Sequence, residues 1–374
     1  MRFISIGKID SNLISIIIGC IFCFLNRLLN QYNALLFENS ILADVIVSVS
    51  YLFAIIPLII LKIRSKRKNK DDIEKANDNK IEYIFTDIKY QITKGKKRFI
   101  LLSAIIFFVQ SFLFVTTLKI KANAWILEIL FTSIFYFFIF KKKLYKHHYL
   151  SIVLIIIIGL IIDLVLGNLQ NNISNNILSL LIRFVREILN SLSDVIDKYI
   201  MEKKFGLIYE ILFFVGLINT ILLSTFAAID YYYFDLEDLE KYYNNFNSIE
   251  LLVIFGVMIT QFGLYLTILL TNQNFTPCHI FIIFAFGQFA FYLDFSGISI
   301  IVIICLIFIL FFALIFNEII EINLWGLSEN TRRNIGSRAE TESEANILIK
   351  NGTLDLNSEK DENIIELKDY VAYY

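Results

Sequence analysis

Cysteine, histidine and charge are all scarce in this chain. Of 374 residues, four are cysteine and three histidine, and 18% are Asp, Glu, Lys or Arg. The cysteines offer no metal site. Cys20 and Cys23 form a CxxC, but it lies inside an apolar stretch with no second pair, and Cys278 and Cys305 stand singly among apolar residues, so packing is their expected role. His147 and His148 follow the basic run Lys141, Lys142, Lys143, Lys146, where histidines in contact with solvent or lipid headgroups are expected. No Gly-rich phosphate loop, Ser/His/Asp set or pair of catalytic carboxylates is present, so neither an enzyme nor a bound cofactor is expected. No nucleic-acid partner is expected either. No small-residue cleavage site closes the first apolar run, which is expected to act as its own insertion signal.

Apolar sequence fills the space that charge leaves. Apolar residues make up 57% of the chain and aromatics 15%, and the mean hydropathy is +0.66. That composition belongs to a protein whose solvent is the lipid bilayer. About 20 apolar residues in helical form cross a hydrocarbon core about 30 Å thick. Ten stretches qualify: 13–36, 41–63, 98–118, 122–140, 148–167, 174–198, 205–229, 248–271, 277–294 and 297–316. The remaining segments are a polar, basic loop over 64–97 and a mixed-charge tail over 317–374, expected to be amphipathic at first and then disordered.

Lys and Arg are retained in cytoplasmic loops during insertion. With the N-terminus inside, the cytoplasmic segments hold Arg2 and Lys8, the Lys62 to Lys70 cluster, Lys141 to Lys146, and Lys198, Lys203 and Lys204. The opposite loops hold Lys119, Lys121 and Lys241. Both termini are therefore expected in the cytoplasm.

Residues 12–38 echo residues 176–202 at a constant offset of 164, with Asn12/Asn176, Leu25/Leu189, Asn26/Asn190 and Glu38/Glu202 among the identities. The echo starts where a second set of five spans must start. An odd number of spans in each half inverts one half relative to the other, an arrangement used by transporters. The expected fold is all-α and integral to the membrane, with ten transmembrane helices as two inverted five-helix repeats. Segments 1–63 and 98–167 form the first repeat and 174–316 the second.

An ionisable group at bilayer depth costs at least about 2.5–3.5 kcal/mol unless paired or hydrated. The sixth stretch carries several. Arg183, Glu187, Asn190, Asp194 and Asp197 recur at helical spacing on one stripe about 21 Å long, flanked by Arg186 and Lys198. Arg183 with Glu187, and Asp194 with Lys198, are spaced for ion pairs within the helix. Across the echo, Asn26, Asn30 and Asn33 align with Asn190, Asp194 and Asp197, so the two triplets are expected on opposite sides of the midplane as outer and inner gates of one cavity. Glu128 is a lone carboxylate in the fourth stretch, with Lys119 and Lys121 as its neighbours in sequence. It is a candidate proton carrier or cation contact. Gln110, Asn219, Gln261 and Gln288 are single amides, whose ordinary role is to bond a neighbouring helix.

The stretch Phe135-Tyr136-Phe137-Phe138-Ile139-Phe140-Lys141-Lys142-Lys143-Leu144, followed by Tyr149-Leu150-Ser151-Ile152 and Gly159, resembles a hairpin of the drug/metabolite transporter superfamily, nearest to its nucleotide-sugar transporter branch. There an aromatic-rich helix ends in a basic turn, and the next helix opens on an aromatic residue. The resemblance implies ten spans in two inverted halves, an endomembrane location (Golgi or ER) and a nucleotide sugar or phosphorylated metabolite as solute. Glu128 departs from it, because several members of that branch carry a Lys there and a carboxylate repels phosphate. A proton-coupled amine or amino acid is the alternative solute. A non-transporting receptor or scaffold would keep the spans and lack a polar cavity. The expected cavity residues are Arg183, Arg186, Glu187, Asn190, Asp194, Asp197, Asn26, Asn30, Asn33 and Glu128. The expected partners are a small-molecule solute and the bilayer, with the oligomeric state left open.

Overall fold

A computed structural model describes residues 4–6, 13–36, 41–61, 63–64, 95–117, 124–165, 177–234, 248–292, 300–322, 331 and 334. Most of the 64–97 loop and of the tail beyond 322, together with Lys119 and Lys121, lies outside the described residues, as does the side chain of Asn33.

The described residues are almost entirely helical (92%). The helices are α1 (Leu13–Leu36), α2 (Ile41–Tyr51, which runs on through a 3-10 turn into 55–61), α3 (Lys96–Thr117) and α4 (Glu128–Phe140, entered through a 3-10 turn at Ala124–Leu127). They continue with α5 (Lys146–Val165), α6 (Ile177–Lys204), α7 (Ile208–Phe234), α8 (Ser248–Asn274), α9 (Ile280–Tyr292, entered through Pro277–His279) and α10 (Ile300–Phe316). Among the described residues, five are long and apolar enough to cross a membrane, over Leu13–Asn30, Ala43–Leu61, Lys146–Val165, Ile208–Ile229 and Leu251–Asn274.

Helix ends follow local chemistry. α4 stops at Lys141 and α6 at Phe205, both left-handed, with φ of 55° and 50°. After α6 the Gly206 N–H reaches back to the Ile200 carbonyl at 2.9 Å, and after α10, past left-handed Glu318, the Ile319 N–H makes the six-to-one bond to the Leu314 carbonyl at 3.0 Å. At the start of α5 the His148 Nδ1 accepts the Tyr145 N–H at 3.0 Å, satisfying a donor that the first turn leaves open.

The chain forms two compact units. The smaller comprises residues 1–8, 145–151 and 314–374. In it Ile4–Ile6 (β1) pairs antiparallel with Ile320–Ile322 (β2), Ser5 opposite Glu321. This short ladder is an addition to the helical architecture that the sequence predicts. Each strand has three residues, too few to show a two-residue period, and some 300 residues separate the partners. The expectation that His147 is solvated falls: it is 3% exposed, beside Glu318.

The larger unit, residues 9–144 and 152–313, contains the helix packing. α1 packs on α8 and α9, α6 on α3 and α4, α2 on α7 and α8, and α7 on α3. Exchanging each helix for the one five places later turns α1–α8 into α6–α3, α1–α9 into α6–α4 and α2–α8 into α7–α3, and leaves α2–α7 unchanged. α8 also touches α6. Contacts give the directions. Along α1, Ser15, Asn26 and Leu29 meet Thr271, Gln261 and Gly256 of α8, so the two helices are antiparallel. Along α6, Asp194 and Lys198 meet Asn272 and Phe275, so α6 runs parallel to α8 and opposite to α1. Small residues permit the close approach: a Cβ on Gly263 would meet the Phe22 ring at 2.6 Å.

Candidate functional site: a charged cavity among the helices

The larger unit contains an open cavity of about 330 Å³, lined from α1, α2, α3, α4, α6, α8 and α9. It sits toward the end at which α1 finishes and α2, α4 and α6 begin. Its charged groups are Arg27, Asp44, Glu128, Arg186 and Glu187, and Asn26, Asn30, Gln110, Asn190 and Gln261 add amides.

Each side chain is placed by helix geometry. On α1 Cys23, Asn26, Arg27 and Asn30 share a face by three- and four-residue spacing; on α6 Arg186, Glu187 and Asn190 do the same. Glu128 is the first residue of α4, where the helix dipole favours an anion, and is 3% exposed. Trp125, in the 3-10 turn before it, stacks on Phe281 of α9 with ring centroids 5.5 Å apart. Ser191 of α6 donates to the Glu128 carbonyl at 3.1 Å, tying α4 to the polar stripe.

One wall is a fixed network. Asn26 Nδ2 donates to Gln261 Oε1 at 2.6 Å, and Thr260 Oγ1 donates to Asn26 Oδ1 at 3.2 Å. Gln261 Nε2 in turn donates to the Tyr51 hydroxyl at 3.4 Å, and the Tyr51 ring packs on Tyr265 at 4.6 Å. Gln261 thus bonds a neighbouring helix, as a single amide in a span is expected to.

The charges are arranged differently. Arg186 lies 3.9 Å from Glu187. Arg27 and Glu128 both line the cavity and make no ion pair among the described residues. Asp44 Oδ2 is buried without a hydrogen-bond partner.

Of the residues expected at the site, Asn26, Asn30, Glu128, Arg186, Glu187 and Asn190 converge on the cavity, whereas Arg183, Asp194 and Asp197 do not line it. The α6 stripe is divided. Its first half faces the cavity, and its second half enters a packed zone where Ser103 Oγ donates to Asp197 at 2.8 Å and Asn272 donates to the Asp194 carbonyl at 2.7 Å. Lys198, spaced for Asp194, binds Glu202 at 2.9 Å and the carbonyls of Gln273 and Phe275 at 3.2 and 2.8 Å. Arg27 and Asp44 were not anticipated. A signal existed in both cases, because an ionisable residue within an apolar span is by itself a functional marker.

The smaller unit holds a second cluster. One nitrogen or oxygen each from His147, His148 and Glu318 lie within 4.8 Å of one another, and His147 Nε2 is 3.3 Å from Glu318 Oε1. The spacing suits a metal ion, but the tautomer does not. His148 Nδ1 accepts a backbone N–H, so its Nε2 carries the proton of a neutral ring. All four cysteines are free. No protein-family model matches the chain, and no curated protein matches it by sequence.

Proposed function

We propose that the chain is a membrane transporter of a small polar organic solute, working by alternating access between two inverted halves of five helices. The observation that carries this reading is the cavity, in which charged and amide side chains from both halves converge at a depth where each is costly alone. The exchange symmetry of the packing pairs supports the duplication, and the opposite directions of α1 and α6 support the inversion. The halves do not emerge as separate compact units because they interleave, each first helix packing on two helices of the other half.

The smaller unit supports an even number of crossings. Residues 4–6 pair with 320–322, so the chain leaves and returns on one side. The Lys and Arg distribution makes that side the cytoplasm.

The drug/metabolite transporter reading, with its endomembrane location, rests on the hairpin at 135–159. Its nucleotide-sugar branch fits the cavity poorly. Asp44, Glu128 and Glu187 outnumber Arg27 and Arg186, and a phosphate charge about 6 Å from a carboxylate meets about 3 kcal/mol of repulsion at an effective dielectric near 20. A solute with a cationic group is favoured.

The test is uptake into proteoliposomes from a panel of amino acids, amines, sugar phosphates and nucleotide sugars, with and without a proton gradient. Saturable uptake of one class supports the proposal. Purified protein that is folded and carries none of them across leaves the receptor or scaffold reading.

A further inference from the structure

The cavity keeps opposite charges apart. Arg27 on α1 and Glu128 on α4 both line it, and neither has an ion-pair partner among the described residues. Two opposite charges in a low-dielectric site normally close on each other. Here packing holds them. Glu128 is fixed by the start of α4, whose carbonyl accepts from Ser191. Arg27 passes Gly287 of α9, where a Cβ would stand 3.1 Å from its Nε, so the missing side chain makes room for the guanidinium. Asp44, with one buried unpartnered oxygen, adds a second anionic group to the lining.

An occupant that neutralises this arrangement must carry both signs. A carboxylate suits the planar donor fork of Arg27, and an ammonium suits Glu128, with Asp44 as a further acceptor. The volume of about 330 Å³ lies near the lower end of small-molecule sites, which run from about 300 to 1,000 Å³. We propose that the cavity binds a small zwitterion bearing an ammonium and a carboxylate, an amino acid or close analogue, with Arg27 as the carboxylate anchor and Glu128 as the ammonium anchor. This deepens the transporter reading and rests on it for its biological meaning.

Binding to the purified protein in nanodiscs tests it without requiring transport. The probes are the free L-amino acids one by one, and then, for any that binds, the matched amine lacking the carboxylate and the matched acid lacking the ammonium. The expected result is one or more amino acids binding at least about tenfold more tightly than both truncated analogues. Arg27→Gln should erase the preference over the amine, and Glu128→Gln the preference over the acid. Arg27→Lys should retain part of the first preference. If a variant fails to fold, the wild-type analogue series decides alone. Absence of binding by every amino acid, or an amine binding as tightly as its amino acid, overturns the inference. The two readings separate cleanly. Amino-acid binding without flux in proteoliposomes removes the transporter and leaves the site, while flux of a nucleotide sugar or sugar phosphate that amino acids do not inhibit leaves a transporter and removes the zwitterion.

Discussion

Gly287 and Asn26 do opposite kinds of work at one cavity. Gly287 is an absence: it lets α9 approach Cys23 and leaves Arg27 its path. Gly287→Ala must displace the thiol or the guanidinium. The expected outcome is a stability loss of about 1–3 kcal/mol by overpacking, together with weakened solute binding. Thermal unfolding in detergent and ligand titration read the two effects, and a variant unchanged in both shows that α9 gives way freely. Asn26 is a presence, a buried amide whose two ends are both used by α8. Asn26→Leu leaves the Gln261 side-chain carbonyl short of a donor, at about 1–3 kcal/mol, while the Thr260 hydroxyl keeps the Gly256 and Val257 carbonyls. Asn30 lines the same cavity and takes part in no such network among the described residues. Asn30→Leu should therefore reduce transport with little change in thermal stability, and the contrast between the two variants separates wall from scaffold.

At the scale of the element, α6 is the informative helix. Its stripe was legible in the sequence because charge repeats at 3.6-residue spacing, and apolar runs likewise marked where the other helices fall. What the stripe did not disclose was its division, since periodicity names a face and not what that face meets. The neighbours change along the helix: Arg186, Glu187 and Asn190 meet open space, while Asp197 meets Ser103 and Lys198 meets the final carbonyls of α8. Lone charges such as Arg27 and Asp44 were harder to see, because neither belongs to a repeat and their partners lie on other helices. Lys198 holds the packed end. A cation on the open carbonyls of a helix C-terminus is favoured by the dipole, and hydrogen bonds from a charged donor contribute about 1.5–3 kcal/mol each. Lys198→Met should loosen α6 from α8 at that end. A cysteine placed at Asn272 would then react faster with a water-soluble maleimide than it does beside Lys198, and equal rates would show that the apolar packing alone seals it.

For the whole molecule, the unforeseen smaller unit constrains topology without reference to charge. β1 and β2 place residues 4–6 beside 320–322, and His147 lies 3.3 Å from Glu318. Three points of the chain are thereby fixed on one side, so the crossings from 6 to 147 and from 148 to 318 must each be even in number. Four helices precede the first interval's end and six fill the second. Were α6 to lie flat on the bilayer as an amphipathic helix, five crossings would remain in the second interval, and Glu318 would finish on the far side from His147. If the other nine helices cross as proposed, the strand pair requires α6 to cross as well, in keeping with the downstream Lys and Arg. Single cysteines in a cysteine-free background test both arguments together. With an impermeant maleimide, Lys143→Cys and Phe205→Cys should label from the same side as a tag at the N-terminus, and Asn39→Cys and Asn171→Cys from the opposite side. Phe205→Cys is decisive, because a flat α6 puts it with Asn171→Cys; labelling of those two from one side would dismantle the inverted arrangement and the alternating-access mechanism built on it.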